Sequence, residues 1–204
     1  MFTVFGIALA VAVLGGIIFA ALESARASKL KEFIAAVPGF RATHMHVGTD
    51  GRTGIAVDEQ AELFCLASST PSGLTYRLVP YASILATELS EDDAVISQVS
   101  RSSQVMGAAA GGLLFGGLGA AVGAMTGKRT ERRKVRRVEV RLIVENISNP
   151  THSVVFQNVE AARNGLVHKL ASTQAREWQA RAEVAIHQGK RAALIASVPA
   201  QSDM

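Results

Sequence analysis

The sequence predicts an α+β protein in which a small antiparallel β-barrel or sandwich is capped by a C-terminal helix and preceded by a transmembrane helix. Three observations lead to this prediction: an uncharged apolar run at the start, short strand-like runs from residue 42 onward, and a helical apolar stripe near the end. A Gly/Ala-rich segment interrupts the strands and predicts a helical insertion between them. The hydrophobic content of 49% is high for a soluble chain of 204 residues, so part of it is expected to contact lipid.

Residues 2–22 form the predicted transmembrane anchor. They are 21 consecutive uncharged residues, and a helix of this length measures about 31 Å, close to the roughly 30 Å hydrocarbon core of a bilayer. A cleaved signal peptide is the alternative, but no basic residue precedes the apolar run. Arg26, Lys29 and Lys31 follow it closely. The positive-inside rule therefore predicts an inner (cytoplasmic) membrane protein with its bulk in the cytoplasm and a juxtamembrane linker or helix at 23–41.

Residues 42–188 carry the predicted β domain and its closing helix. Short β-prone runs separated by turn residues are typical of antiparallel sheet, and Thr49-Asp50-Gly51 is the clearest hairpin turn. The predicted strands are 42–48, 53–58, 62–68, 74–80, 83–89, 94–100, 134–146 and 152–159. An apolar stripe with a 3.6-residue period then predicts a helix that ends near Gly189, before a flexible tail at 189–204. The stripe consists of Val167, Leu170, Ala171, Gln174, Trp178, Ala182, Ala185 and Ile186.

Four stretches of the chain carry a family resemblance. They are GIAVDEQAELFCL at 54–66, YRLVPYASILATELSEDD at 76–93, SRSSQVMGAAAGGLLFGGLGAAVGAMTGK at 100–128 and VEVRLIVENISNPTHSVVF at 138–156. Together they resemble bacterial and prophage-associated proteins that combine a PH-like domain with an inserted glycine-zipper segment. The resemblance covers roughly residues 50–188. It implies a PH-like architecture and an association with membranes and mobile genetic elements, and it brings no catalytic motif.

The inserted segment, residues 105–126, is built almost entirely of small and apolar side chains. Its first 21 positions hold seven glycines and six alanines and no charge. On a helical wheel five glycines form one continuous strip while the bulky residues Leu114, Leu118 and Met125 lie opposite, which favours close helix packing over a flexible linker. The predicted packing residues are Gly112, Gly116, Gly119, Gly123 and Gly127.

The insertion has three possible topologies. A single membrane crossing would put strands of one sheet in different compartments, so it is the least favoured. A re-entrant hairpin turning at Gly116-Gly117 keeps both ends on one side, although arms of about ten residues each are too short to span. Alternatively, the segment is sheltered in an oligomer and inserts only on a trigger. The sequence does not decide between these last two.

A basic cluster follows the glycine-rich segment and is expected to contact anionic lipid. Its members are Lys128, Arg129, Arg132, Arg133, Lys134, Arg136 and Arg137. Each basic residue near a membrane surface is worth about 1 kcal/mol. Nucleic acid is the rival ligand, but no recognised binding motif or aromatic platform accompanies the cluster, and a solvated charged flank is the plainest alternative.

The sequence contains no pattern that predicts an enzyme. His44 and His46 share one face of a strand, but further metal ligands at a useful spacing are missing, and Cys65 lies in an apolar run without an activating base. We expect no cofactor, metal or small-molecule substrate. The leading hypothesis is a membrane-anchored scaffold or sensor that forms a homo-oligomer through its glycine zipper. The alternatives are an oligomeric membrane-permeabilising effector in phage defence or superinfection exclusion, and a nucleic-acid-binding protein acting through residues 128–137.

Overall fold

The computed structural model describes residues 21–101 and 134–197. A short 3-10 helix, Tyr81–Ser83, lies between the fourth and fifth strands. All eight strands lie within three residues of their predicted bounds. In chain order the helices and strands are α1 (described over 21–35), β1 (His44–Val47), β2 (Thr53–Asp58), β3 (Leu63–Thr70), β4 (Gly73–Pro80), β5 (Ile84–Glu91), β6 (Ala94–Ser100), β7 (Lys134–Val144), β8 (Thr151–Ala162) and α2 (Leu166–Ser197).

The first sheet, sheet A, is an antiparallel meander in the order β1-β2-β3-β4. Its first hairpin turns at the predicted place: Gly51 adopts a φ of 63° and its N–H donates to the carbonyl of Gly48 at 2.8 Å. The Asp50 carboxylate accepts a hydrogen bond from the Arg52 N–H at 3.0 Å. Asp and Gly thus supply the turn chemistry that the sequence predicted.

The second sheet, sheet B, has the order β6-β5-β7-β8. Its inner face meets sheet A across the main core, to which β7 contributes Val138, Val140 and Leu142. One backbone hydrogen bond between the sheets runs from the Thr49 N–H to the Val155 carbonyl at 2.9 Å. The described strands form two separate sheets, so the domain is a sandwich and not a closed barrel.

Helix α2 closes the open side of the sandwich with one face. Trp178, Ala182 and Ile186 of the predicted stripe are buried in the main core. Ala171 and Ala185 are buried there as well, whereas Val167 and Leu170 are exposed, at 52% and 59% of their surface. The apolar stripe therefore extends along α2 beyond the residues that pack in the main core.

The prediction that Gly189 ends this helix was wrong, because α2 continues to Ser197. Gly189 lies in the helix where α2 approaches the backbone of Tyr81 and Ala82, and a Cβ atom there would come within 2.6 Å of both residues. The glycine is required by close packing and not by a helix end. Residues 189–197 consequently belong to α2 and not to a tail, and 198–204 lie outside the described residues.

Helix α1 packs on the outer face of sheet A. Leu30 and Ile34 are fully buried there, over Ala56 and Cys65. The helix approaches so closely that a Cβ atom on Gly54 would lie 2.8 Å from Cδ1 of Ile34. Residues 21–35 are thus an integral layer of the domain.

The predicted anchor at 2–22 lies outside the described residues except for its last two positions. Over 21–101 and 134–197, no helix is both long and apolar enough to cross a membrane. The glycine-rich segment 105–126 also lies outside the described part.

The two ends of the insertion meet sheet B at opposite ends. Strand β5 lies between β6 and β7 and is antiparallel to both, so β6 and β7 run parallel. Ser100 pairs with Ala86, which pairs with Ile143, and Lys134 lies nine residues before Ile143 in β7. At about 3.3 Å per residue the end points are roughly 30 Å apart. The described strand ends on the two sides of the insertion therefore do not lie next to each other.

Candidate functional site

The described part of the predicted basic cluster forms the start of β7. The Lys134 ammonium lies 2.6 Å from the Glu160 carboxylate, and the hydrogen bond between them raises the pKa of Lys134. The guanidinium of Arg137 lies 2.8 Å from the Glu139 carboxylate. Lys134 and Arg137 therefore each form an ion pair with a carboxylate of the domain.

Arg136 differs from its two neighbours, because its side chain is exposed and no carboxylate of the described residues lies within ion-pair distance. It is the described member of the cluster whose charge is available to a ligand. The remaining members, Lys128, Arg129, Arg132 and Arg133, and the predicted packing residues Gly112, Gly116, Gly119, Gly123 and Gly127 lie outside the described residues.

The outer face of sheet B carries a ladder of alternating charges. Glu139 lies between Arg137 and Arg141, with an Arg141 to Glu139 distance of 3.0 Å, and its side chain is only 6% exposed. Arg141 also approaches Glu88 at 3.5 Å. Acidic and basic residues balance along this face, so it offers no strong net charge to a lipid or a nucleic acid.

The turn between β5 and β6 fixes the start of β7. Asp92, with a φ of 48°, accepts hydrogen bonds from the N–H groups of Arg136 and Arg137 at 3.0 and 2.9 Å. This aspartate thus holds the chain where it rejoins the sheet after the insertion.

A buried polar cluster joins this turn to α2. His168 Nε2 lies 3.1 Å from the Glu91 carboxylate and 3.2 Å from the Ser172 hydroxyl, and Arg163 pairs with the second Glu91 oxygen at 2.8 Å. A catalytic triad uses the two imidazole nitrogens for different partners. Here the carboxylate and the hydroxyl share one nitrogen, so the cluster is arranged as a structural link between α2 and β5.

An open groove of about 440 Å³ lies between the start of α1, the end of β8 and the start of α2. Glu23, Phe156, Val159, Val167 and Leu170 are among its lining residues. We use the name apolar rim for the exposed large side chains at this groove and immediately beside it in the chain: Leu22, Val159, Leu166, Val167 and Leu170.

Sequence reasoning missed this groove because it assigned Val167 and Leu170 to the core. A signal was present: Leu166, Val167 and Leu170 put three large apolar side chains into the first five positions of α2. The excess of apolar residues at the start of α2 indicated a second apolar surface.

His44, His46 and Cys65, which were considered for metal binding or thiol chemistry, make contacts that serve the fold. His46 stacks on Phe156 with ring centroids 4.1 Å apart, whereas His44 approaches Glu59 at 3.3 Å. No group of three potential metal ligands occurs within 21–101 and 134–197. Burial raises the pKa of Cys65 to about 11. This thiol, with 0% exposure, is a core side chain.

Comparison with known proteins supports the predicted resemblance. The chain is 31% identical over 124 residues to the immunity protein of Bacillus phage SPbeta, a match covering 56% of this chain and 60% of that protein. It is also 31% identical over 124 residues to an SPbeta prophage-derived membrane protein, YomJ, of Bacillus subtilis strain 168, covering 53% of that protein. The chain thus spans less than two thirds of the length of either relative. No solved structure matches it.

The family described as glycine zipper containing PH domain matches residues 43–158, a range that runs from β1 to β8 and includes the insertion. This match begins one residue before β1, ends within β8 and includes the glycine-rich segment. The chain therefore belongs to the family of PH-domain proteins that contain a glycine zipper.

Proposed function

We propose that this protein is a membrane-anchored, non-enzymatic scaffold of a phage-immunity system, which self-associates through its glycine-rich segment. In this proposal residues 2–22 anchor the chain in the cytoplasmic membrane and the PH-like sandwich faces the cytoplasm. The names of the two relatives, an immunity protein and a prophage-derived membrane protein, support this setting. The proposal assigns no chemical reaction to the domain.

The observation that carries the proposal is the attachment of α1. Residues 21 and 22, the last two of the apolar run, are already helical, and the same helix continues to residue 35. Leu30 and Ile34 have no exposed surface beneath sheet A. An anchor that continues into this helix would hold the domain in a fixed orientation at the membrane, as a scaffold requires.

Self-association is proposed from the sorting of side chains by size in the glycine-rich segment. Glycine in a helix costs about 1 kcal/mol relative to alanine, so a segment with seven glycines in 21 positions needs compensating contacts. A strip of glycines lets two helix backbones approach closely enough for dispersion and weak Cα–H hydrogen bonds. A second copy of the chain offers the same strip.

Membrane orientation is tested with a single cysteine at the exposed position Ser148. We expect a membrane-impermeant maleimide to label Ser148→Cys only after the cells are opened, and the chain to resist extraction by alkaline carbonate. Native Cys65 is buried and should stay unlabelled. Labelling of intact cells, or release by carbonate, would contradict the proposed anchor and orientation.

Self-association and immunity are tested with one matched set of variants. In a host that a related phage can infect, expression of the chain should reduce plaque formation, and chemical crosslinking should give dimers or larger species. Gly116→Leu and Gly119→Leu should lose both effects, while Leu114→Ile, on the opposite face, should retain them. Equal behaviour of all three variants would remove the role of the glycine strip.

Leakage from dye-loaded liposomes separates the scaffold from a permeabilising effector. A scaffold leaves the dye inside across pH and lipid composition. Dye release by the purified chain that Gly116→Leu abolishes would replace the scaffold with the effector.

A further inference from the structure

We propose that the apolar rim of the groove is a second membrane contact, which sits in the headgroup region of the same bilayer that holds the anchor. This inference rests on the proposed membrane anchor and adds a contact surface on the folded domain. The partner is a lipid surface, and the binding group is a set of apolar side chains. A domain held at two places would keep one face toward the membrane.

The first observation is the clustering of exposed apolar side chains. Of the eleven large hydrophobic residues that are exposed over 21–101 and 134–197, five belong to the rim. Their exposed fractions are 52% for Leu22, 60% for Val159, 73% for Leu166, 52% for Val167 and 59% for Leu170. Single exposed apolar residues are normal, but Val159, Val167 and Leu170 line one open groove, and such a group marks an interaction surface. Leu22 and Leu166 are next to lining residues in the chain.

The second observation is the position of the rim beside the proposed anchor. Glu23 lines the same groove as Val159 and Val167, and Leu22 precedes it directly. The chain before the described residues is uncharged and apolar from residue 2 onward. If this run enters the bilayer, the rigid attachment of α1 brings the groove to the membrane surface without an intervening linker.

The third observation is the polar surroundings of the rim. Lys169 is exposed on α2 between Leu166 and Leu170, while Asn158 and Gln174 line the groove. An apolar face beside a lysine and amides is typical of surfaces that lie at the depth of lipid headgroups, where Lys reaches the phosphates. Glu23 fits the same depth at the polar edge.

Helix α2 provides a matched control for a lipid-contact experiment. Val184 is 54% exposed, nearly the same as Val167, and is 17 residues further along the helix. At 1.5 Å per residue the two positions are about 26 Å apart. Leu170 and Leu194, both 59% exposed, form a second pair.

The experiment places an environment-sensitive fluorophore on single cysteines in the full chain, reconstituted into vesicles of phosphatidylcholine and phosphatidylglycerol. Brominated lipids, which quench only at contact, then replace part of the phosphatidylcholine. We expect the label at Val167→Cys to lose most of its fluorescence and the label at Val184→Cys to lose little. Leu170→Cys and Leu194→Cys should repeat this difference, and circular dichroism confirms that each variant is folded.

The outcomes separate this inference from the proposed function. If the chain floats with the vesicles but Val167 and Val184 labels are quenched equally, the rim does not contact lipid and the inference fails alone. If the labelled Val167→Cys chain floats without being quenched and the unlabelled Val167→Cys chain forms disulfide-linked dimers on oxidation, the rim belongs to a contact with a second copy and the lipid contact is overturned. A chain that does not float at all contradicts both proposals.

Discussion

Gly189 of α2 packs directly on the backbone of Tyr81, so closely that an added Cβ atom would lie 2.6 Å from the Tyr81 carbonyl carbon and oxygen. Tyr81 begins the 3-10 helix between β4 and β5, where the chain passes from sheet A to sheet B. The contact therefore attaches the far part of α2 to the junction of the two sheets.

Gly189→Ala should lower the free energy of unfolding by about 1 to 3 kcal/mol, because the methyl group meets backbone atoms that cannot move aside cheaply. In an ordinary helix the same change would stabilise by up to about 1 kcal/mol. Thermal denaturation followed by circular dichroism gives the sign. Gln188→Ala, at the exposed neighbouring position, is the control and should be neutral or slightly stabilising. A higher melting temperature for Gly189→Ala would show that the close contact is absent.

Stability should fall in mild acid because of His152. This side chain is buried between the sheets with Nε2 3.0 Å from the Gly54 carbonyl, and burial, with a smaller contribution from Arg77, lowers its pKa from 6.5 to about 4. The unfolded chain binds the proton more strongly than the folded one. The stabilisation is thus fully present above pH 6.5 and is lost as the pH falls toward 4. The loss is about 3 kcal/mol.

Urea denaturation at neutral pH and near pH 4 measures this slope. In His152→Gln, which does not titrate, stability should depend less on pH over that interval, whatever its absolute value. His44→Gln removes an exposed histidine and should leave the slope unchanged. An unaltered slope in His152→Gln would assign the acid sensitivity to other groups, of which His46, with a pKa also lowered by burial, is the first candidate.

Arg136 and Arg137 should differ in their contribution to lipid binding. Arg137 is paired with Glu139, whereas the Arg136 side chain is exposed. Arg136→Gln should weaken the association of phosphatidylglycerol with the reconstituted chain roughly fivefold, the equivalent of about 1 kcal/mol. Arg137→Gln should change it much less. Spin-labelled phosphatidylglycerol reports the fraction of bound lipid, and a larger effect for Arg137→Gln would refute the assignment.

The length of the connection between β6 and β7 should have a sharp lower limit. Its end points, Arg101 and Lys134, lie roughly 30 Å apart along sheet B, and an extended chain covers about 3.3 Å per residue. A chain with residues 102–133 replaced by a Gly/Ser linker of about 14 residues should fold, whereas a linker of about four residues should not. Urea denaturation and amide hydrogen exchange compare the two. A folded chain with the short linker would mean that the ends are adjacent.

Local patterns were enough to predict the strands but not their arrangement. Alternating residues in β7 and the Asp50-Gly51 turn determine structure locally, so both were predicted correctly. The order β6-β5-β7 is set by contacts between distant residues, such as Glu91 with Val138, and no local pattern reports it. The prediction that Gly189 ends the helix failed for the same reason. A sequence does not distinguish a glycine at a helix end from a glycine that packs against a neighbouring backbone.

Part of the candidate site could also be predicted. The basic residues were identified, but their pairing with Glu139 and Glu160 depends on which residues face each other across or along strands. The apolar rim was misassigned because Val167 and Leu170 have the spacing of core residues. Where the core ends along α2 depends on how the helix packs on sheet B, which the sequence does not report.

The parallel arrangement of β6 and β7 also affects the order in which this chain can fold. Helix α1, sheet A, β5 and β6 are complete in the first 101 residues, whereas β7, β8 and the closing helix are all made after the glycine-rich segment. Contacts such as Glu91 with Val138 form only after a long loop closes, which slows folding. During synthesis a half-built sandwich with an open core would therefore precede the complete one. The environment that the glycine-rich segment enters first then influences how quickly β7, β8 and α2 can pack against the part of the domain that is already made.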